Sequence, residues 1–349
     1  MIESELQKLE SLLGTTSPST KEDEIRSYVE SFNEESYVIS YDALGNMYLA
    51  KPCENKHPLV MIAAHCDEIG LQIVYITDDG FIRFRPIGSI DLNATAGRQV
   101  VVFSGNKRIP GVICKTPIHI ETKENSDRKV AVSDFWVDIG CSNRKEASKL
   151  VSEGDLIGFA ANHIKLGGNR ISSKALDNKL GVFVALSAMK RLSSCINTEN
   201  HPIAVLTVQE EVGCKGAAIA TQRLKPAWGI CIDVGVATDC PGIDAGKYGR
   251  FVLGMGPGLS YTTDTSRSIT DRAAEILKNE GIMFQKTVGI SASGGTDTMR
   301  MQIAGNGVPC ILLSIPIRSM HTSSEVCDIN DVSSAIDVVV ALIKYLQGI

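Results

Sequence analysis

Pro58-Leu59-Val60-Met61-Ile62-Ala63-Ala64, followed at once by His65-Cys66-Asp67-Glu68, decides how this chain is read. An uninterrupted apolar run with no polar alternation describes a strand covered on both faces. The same texture returns at Ile203 to Val208, Trp228 to Ile232 and Cys310 to Ile315, with helical stretches such as Gly181 to Leu192 and Asp264 to Glu280 between the runs. Such interleaving predicts an α/β fold whose mostly parallel central sheet is flanked by helices on both sides. Sheets of this kind hold their sites outside the carboxyl ends of the strands. The ionisable residues that follow the runs, His65, Glu211, Asp233 and His321, are therefore expected at one edge.

Working outward, a first helix is expected over Ile2 to Leu13. Ser19-Thr20-Lys21-Glu22 has the spacing of a capping box that opens a second helix through about Phe32. Tyr37 to Tyr41 and Met47 to Ala50 are β-prone and joined by Asp42 to Asn46. Between about Leu71 and Lys165 the texture changes to short β-prone pieces, at Gln72–Ile76, Phe81–Arg85, Gln99–Phe103, Gly111–Cys114 and Leu156–Ala160, punctuated by glycine and proline. This predicts a small β-barrel-like domain over 71–165, inserted into a catalytic α/β domain formed by 1–70 and 166–349. With 349 residues the chain is long enough for two cores, since single cores rarely grow past about 250–300 residues.

Charged residues make up 21% of the chain, are mixed in sign and leave a formal net charge of -5. That balance gives no electrostatic case for nucleic acid or an anionic membrane as partner. No run is long enough to span a bilayer and the first thirty residues lack a secretory core, so a cytoplasmic protein is expected. Its ten cysteines, with no Cys-x-x-Cys, read as free thiols.

Five segments carry the chemistry: Ala64–Glu68, Ala175–Lys179, Gln209–Gly213, Cys231–Gly235 and Met320–Glu325. Two histidines and several carboxylates in separate segments suit a pair of borderline cations such as zinc, cobalt or manganese around an activated water. Each segment also has a plainer reading. His65 and Asp67 leave one face of a strand end, so Asp67 is placed to orient the imidazole, but a strand-end His beside a turn Asp looks the same. Asp177 before a helical run is equally an N-cap. Glu210-Glu211 is harder to explain structurally, because adjacent buried carboxylates repel and call for a compensating cation. Asp233 and His321 gain weight only from the set, and Gly294-Gly295-Thr296-Asp297 is as readily a structural turn as a substrate loop.

The motifs AHCDEIG, KALDNKLG, VQEEVGCKGA, IDVG, SGGTDTMRMQ and PIRSMHTSSEV, in this order nearly end to end, resemble those of metallopeptidase family forty-two. These are cytoplasmic glutamyl, leucyl and deblocking aminopeptidases that form tetrahedral dodecamers, some of them labelled endoglucanases. The resemblance implies a zinc-peptidase type fold and two divalent metal ions per subunit, zinc or cobalt. It implies that His65 and Asp233 hold one ion, Glu211 and His321 the other, and Asp177 bridges them. Glu210 would be the general base, Asp67 would support His65, and the Asp177-Asn178 bond would be a non-proline cis peptide. Lys179 departs from the Arg that many relatives carry, without removing a ligand. The implied activity is removal of the N-terminal residue from peptide substrates, in a homo-oligomer whose inserted domain pairs subunits. A carboxypeptidase or dipeptidase on the same fold is the nearer alternative; a glycoside hydrolase or a non-catalytic assembly protein is more remote.

Overall fold

A computed structural model describes residues 1–33, 37–51, 58–120, 128–193 and 200–349; Cys53, His57 and Cys195 lie outside them. Strands β1 (Val38–Tyr41), β2 (Met47–Ala50) and β3 (Leu59–His65) precede six short strands. These are β4 (Gly70–Ile76), β5 (Ile82–Ile87), β6 (Gln99–Ser104), β7 (Lys107–Lys115), β8 (Phe135–Asp138) and β9 (Leu156–Phe159). Then follow β10 (Ile164–Lys165), β11 (Arg170–Ser173), β12 (His201–Thr207), β13 (Trp228–Val236), β14 (Gly258–Ser260), β15 (Gln285–Thr287), β16 (Cys310–Arg318) and β17 (Glu325–Asp328).

The main sheet runs β1-β2-β12-β3-β13-β16-β17-β11-β10, with β14 and β15 branching from β16. The four apolar runs are β12, β3, β13 and β16, adjacent at its centre, and all three pairings among them are parallel. The flanking pairs are antiparallel, so the sheet is mixed with a parallel core. The absence of polar alternation follows from burial on two faces: Val60, Ile62 and Ala64 of β3 pack into one core, Met61 and Ala63 into another. β16 divides likewise, Ile311, Leu313 and Ile315 against Cys310 and Leu312. Helices Glu3–Leu13, Leu176–Ser193 and Ile329–Tyr345 contribute to the first core, Lys215–Leu224 to the second. Each fully buried Leu or Ile contributes about 1.5–3 kcal/mol of transfer free energy. Among the described residues no helix is long and apolar enough to cross a membrane, and the eight described cysteines are free thiols.

β4-β5-β8-β7-β6-β9 close into a barrel around a separate core that includes Leu71, Ile73, Phe84, Val102, Ile113 and Val137. The sequence reading misses β8, whose four residues are too few to show a period. One expectation is corrected outright. The helix runs over Asp23–Phe32, but its N-cap position is Glu22, with no side-chain cap. Ser19 instead donates its hydroxyl to Asp67 Oδ2 at 2.6 Å, while Glu22 accepts from the Thr20 amide at 2.7 Å. The capping-box spacing therefore belongs to a loop that reaches under the site.

That loop also meets a buried ionic group. Lys174 Nζ lies 2.5 Å from Glu68 Oε1, Lys179 Nζ bonds Glu68 Oε2, and both ammonium groups donate to the Thr15 carbonyl at 2.8 and 3.0 Å. Burial pushes Lys174 down to about 7, with the neighbouring Lys179 adding to the shift against the pull of Glu68. Buried ion pairs hold only where further hydrogen bonds satisfy them, and the Thr15 carbonyl provides these. The group ties the N-terminal loop, the end of β3 and the segment after β11 into one unit.

Candidate two-metal site

The carboxyl edge of the parallel core is where the ionisable residues converge. His65 closes β3, Asp233 lies near the end of β13, and Glu210-Glu211 and His321 follow β12 and β16. Asp177 enters from the sheet's other flank, after β11. Its two carboxylate oxygens face two imidazoles: Oδ1 is 3.1 Å from His65 Nε2 and Oδ2 is 3.2 Å from His321 Nε2. Around the first pair stand Asp233 Oδ1 at 3.6 Å and Glu210 Oε2 at 4.0 Å from His65 Nε2. Glu211 Oε2 lies 3.8 Å from His321 Nε2. His65, Asp177 and Asp233 thus form one group, and Asp177, Glu211 and His321 a second, each with candidate ligand atoms within 4.8 Å of one another.

Asp177 sits at the start of a helix without capping it. Its φ/ψ and those of Asn178 are non-helical, and the bond between them is cis. The side chain that caps is Asn178, whose Oδ1 accepts from the Gly181 amide at 3.0 Å while its Nδ2 donates to the Ile232 carbonyl at 2.8 Å. A Cβ on Gly181 would stand 2.3 Å from that Oδ1, so the cap needs glycine there. With Asn178 serving the helix, the Asp177 carboxylate is left to the imidazoles.

Asp67 stabilises the site differently from the sequence expectation. His65 Nδ1 lies 3.0 Å from the main-chain carbonyl of Asp67 and 3.7 Å from its carboxylate. A carbonyl only accepts, so Nδ1 carries a proton, which leaves Nε2 as the ring nitrogen that faces the cluster. The Asp67 carboxylate instead accepts the amides of Glu210 at 3.0 Å and Glu211 at 3.3 Å, beside the Ser19 hydroxyl. The two glutamates diverge because they stand in a turn after a left-handed Gln209 (φ 58°), not in extended chain. Left-handed backbone also occurs at Ala175, Cys214, Ser319 and His321. Such conformations cost non-glycine residues about 1–2 kcal/mol each and concentrate at functional sites.

Sequence reading missed Glu325 as a site residue, and it is central. Its buried carboxylate accepts the Asp177 amide at 3.0 Å and the His321 amide at 2.8 Å, fixing the residue between the imidazoles and one of the imidazoles. Asp297, read as part of a structural turn or a substrate loop, is buried and accepts the Thr207 hydroxyl at 2.5 Å. The barrel touches the site too. Gly88 is packed so that a Cβ would stand 3.0 Å from Glu211 Oε2, and the Asp91 amide donates to the His321 carbonyl at 3.2 Å.

The electrostatics are one-sided. Burial pushes Glu210, Glu211, Asp233 and Glu325 above the ordinary carboxylate range, and neighbouring carboxylates push them further. Burial would raise Asp177 also, but His321 and His65 outweigh it and hold it well below. Burial lowers His65, yet Glu210, Asp177 and Asp233 overcome this and raise it well above its usual value. Glu211 Oε1 is buried without a hydrogen-bond partner. Clustered carboxylates, an orphaned oxygen and two imidazole Nε2 atoms facing the same carboxylate are what a divalent cation pair compensates, so the donor set fits.

The cluster opens into a cavity of about 360 Å³. Residues 45–338 match the family described as M42 glutamyl aminopeptidase. The lysyl aminopeptidase of Pyrococcus furiosus is 31% identical over 314 residues, 88% of this chain and 87% of its own. A solved TET aminopeptidase from a marine sediment archaeon of the Thaumarchaeota matches with a TM-score of 0.93 at 27% identity, over 99% of this chain and 97% of that one. The Pyrococcus horikoshii TET1 peptidase, which can assemble into a tetrahedron or a large octahedral shell, matches at 0.88 and 29% identity, over 98% and 99%. An α/β domain with an imidazole–carboxylate cluster and an inserted barrel is here the architecture of a peptide hydrolase. The chain belongs to the M42 glutamyl aminopeptidase family.

Proposed function

We propose that this enzyme removes single residues from the N-termini of peptides with two bound divalent cations, zinc or cobalt, His65 and Asp233 holding one, Glu211 and His321 the other, and Asp177 bridging. The observation that carries this reading is Asp177, each of whose oxygens faces a different imidazole. When bound, such a pair polarises the scissile carbonyl and lowers the pKa of the attacking water, from about 15.7 in bulk towards 7. The chain's own residues do the rest. Glu210 takes the proton of the attacking water and delivers it to the leaving amine. Burial raises its proton affinity, and the Cys214 thiol, 3.3 Å from Oε1, steadies the carboxylate. Asp67 acts at one remove, through the Glu210 and Glu211 amides and the His65 ring.

Charge favours an aminopeptidase over a carboxypeptidase. No Lys or Arg lines the described cavity, and Arg318 is engaged by both oxygens of Asp239 at 3.0 and 2.6 Å. A free α-ammonium is welcome beside the carboxylates, and a C-terminal carboxylate finds no basic side chain on the described lining. An aminoacyl fluorogenic substrate should be cleaved, its N-acetylated counterpart should not, and EDTA should abolish turnover. Equal cleavage of the blocked substrate, or activity indifferent to chelation, would sink the reading.

We also assign subunit pairing to the barrel domain, residues 71–165. Val74, Tyr75, Val112, Ile118 and Ile120 are exposed on it, as an unsatisfied apolar surface would be. A closed tetrahedral assembly of twelve 37.6 kDa chains weighs roughly 450 kDa. Light scattering of the metal-loaded protein should give that mass, and a monomer at micromolar concentration overturns the assignment. A cytoplasmic location accords with the free thiols.

A further inference from the structure

From the aminopeptidase reading, on which it rests, we infer that the enzyme selects an uncharged aliphatic N-terminal residue, of leucine or methionine type. The charged groups lining the cavity, His65, Asp177, Glu210, Glu211, Asp233 and His321, all belong to the cluster at one end. The rest of the lining is uncharged and includes Ser260, Thr262, Thr296, Met299, Leu312 and Ser314, with Ser260 opposite Leu312 in register and bonded to Ser314 on the same face of the sheet. With the scissile carbonyl at the cluster, this is the space left for the side chain of the first residue.

That wall offers no charge, and of its hydroxyls only Thr262 Oγ1 is buried without a hydrogen-bond partner. Ser260 and Ser314 pair with each other at 2.8 Å, and Thr296 pairs with Thr298 at 2.7 Å. Leu312 and Met299 supply apolar surface, and Gly294 keeps the space open, since a Cβ there would stand 3.0 Å from Leu312 Cδ2. Two carboxylates stand close in sequence to this wall, Asp297 beside Thr296 and Asp264 two residues after Thr262, and neither lines the cavity. Asp297 accepts the Thr207 hydroxyl at 2.5 Å, and Asp264 accepts the Ser293 hydroxyl at 2.6 Å, the Gly294 amide at 2.8 Å and the Gln302 amide group at 3.0 Å. A glutamyl or lysyl side chain entering this space gives up its hydration and finds no counter-charge. The family description and the Pyrococcus relative name acidic and basic specificities, and this pocket is built for neither.

Kinetics on a panel of aminoacyl fluorogenic substrates test this. Leucyl and methionyl substrates should exceed glutamyl and lysyl ones in kcat/KM by at least about 100-fold, as expected for a charge desolvated without a partner. Met299→Lys places an ammonium in the wall and should raise the glutamyl-to-leucyl ratio at least about tenfold, the fold being checked by circular dichroism. A glutamyl or lysyl substrate within tenfold of the leucyl one overturns the inference, as does a ratio unmoved by a folded Met299→Lys variant. If no aminoacyl substrate is turned over, the aminopeptidase reading itself has failed. The pocket's preference is then decided by calorimetry of the metal-loaded protein with free leucine, glutamate and lysine: tighter leucine binding supports it, equal or reversed affinities overturn it.

Discussion

Glu210→Gln should lower kcat by about 10² to 10⁴-fold, the usual share of general acid–base catalysis, while the protein keeps both metal ions. The amide preserves size and lets Oε1 go on receiving the Cys214 thiol, but it has no basic oxygen to take a proton. Glu210 stands 4.0 Å from His65 Nε2, farther than Asp177 or Asp233, so little of the donor set is lost with it. Its neighbour provides the control. Glu211 is one of the three groups around the His321 position, so Glu211→Gln should weaken metal binding, and excess metal should return part of its activity. Metal content by elemental analysis and kcat across a metal titration separate the two. Should added metal restore Glu210→Gln, or should Glu211→Gln bind metal normally and remain inactive, the roles are reversed.

The parallel core was legible because burial on both faces writes itself into the sequence: β3, β12, β13 and β16 are the four apolar runs. The barrel was legible as a change of texture, though β8 was too short to register. What stayed hidden are contacts that depend on where loops come to rest. Ser19 and Glu22 satisfy a helix-cap spacing, yet Ser19 is drawn to Asp67, 48 residues away in the chain. Nothing local to Glu325 says that it binds the amides of Asp177 and His321. Its position four residues after His321 was the available signal, and an acidic residue there reads as ordinary until the left-handed turn at Ser319 and His321 folds it back. Asp67 shows the same limit at the atomic level. Spacing put it beside His65, but only the structure distinguishes its carbonyl, which fixes the imidazole, from its carboxylate, which holds the glutamate turn.

Asp177→Ala should release at least one metal ion and lower turnover to background. Both of its oxygens are committed, at 3.1 Å to His65 and 3.2 Å to His321, and it belongs to both candidate ligand groups. Asp67 is turned to the Glu210 and Glu211 amides and Glu325 to those of Asp177 and His321, so neither takes its place. Without the shared carboxylate two cations would face each other with less negative charge between them, and each would keep only two protein ligands in its group. Stability provides a readout that does not depend on activity. A ligand that binds only the folded state stabilises it by RT ln(1 + [L]/Kd), about 4 kcal/mol at a thousandfold excess over Kd. The rise in Tm that zinc or cobalt gives the wild type over its chelated form should therefore largely vanish in the variant, whatever the substitution does to the metal-free fold. A variant that retains two tightly bound ions, the full metal-dependent rise in Tm and normal turnover would return Asp177 to the status of a polar residue at a helix start, and the shared-carboxylate site would have to be abandoned.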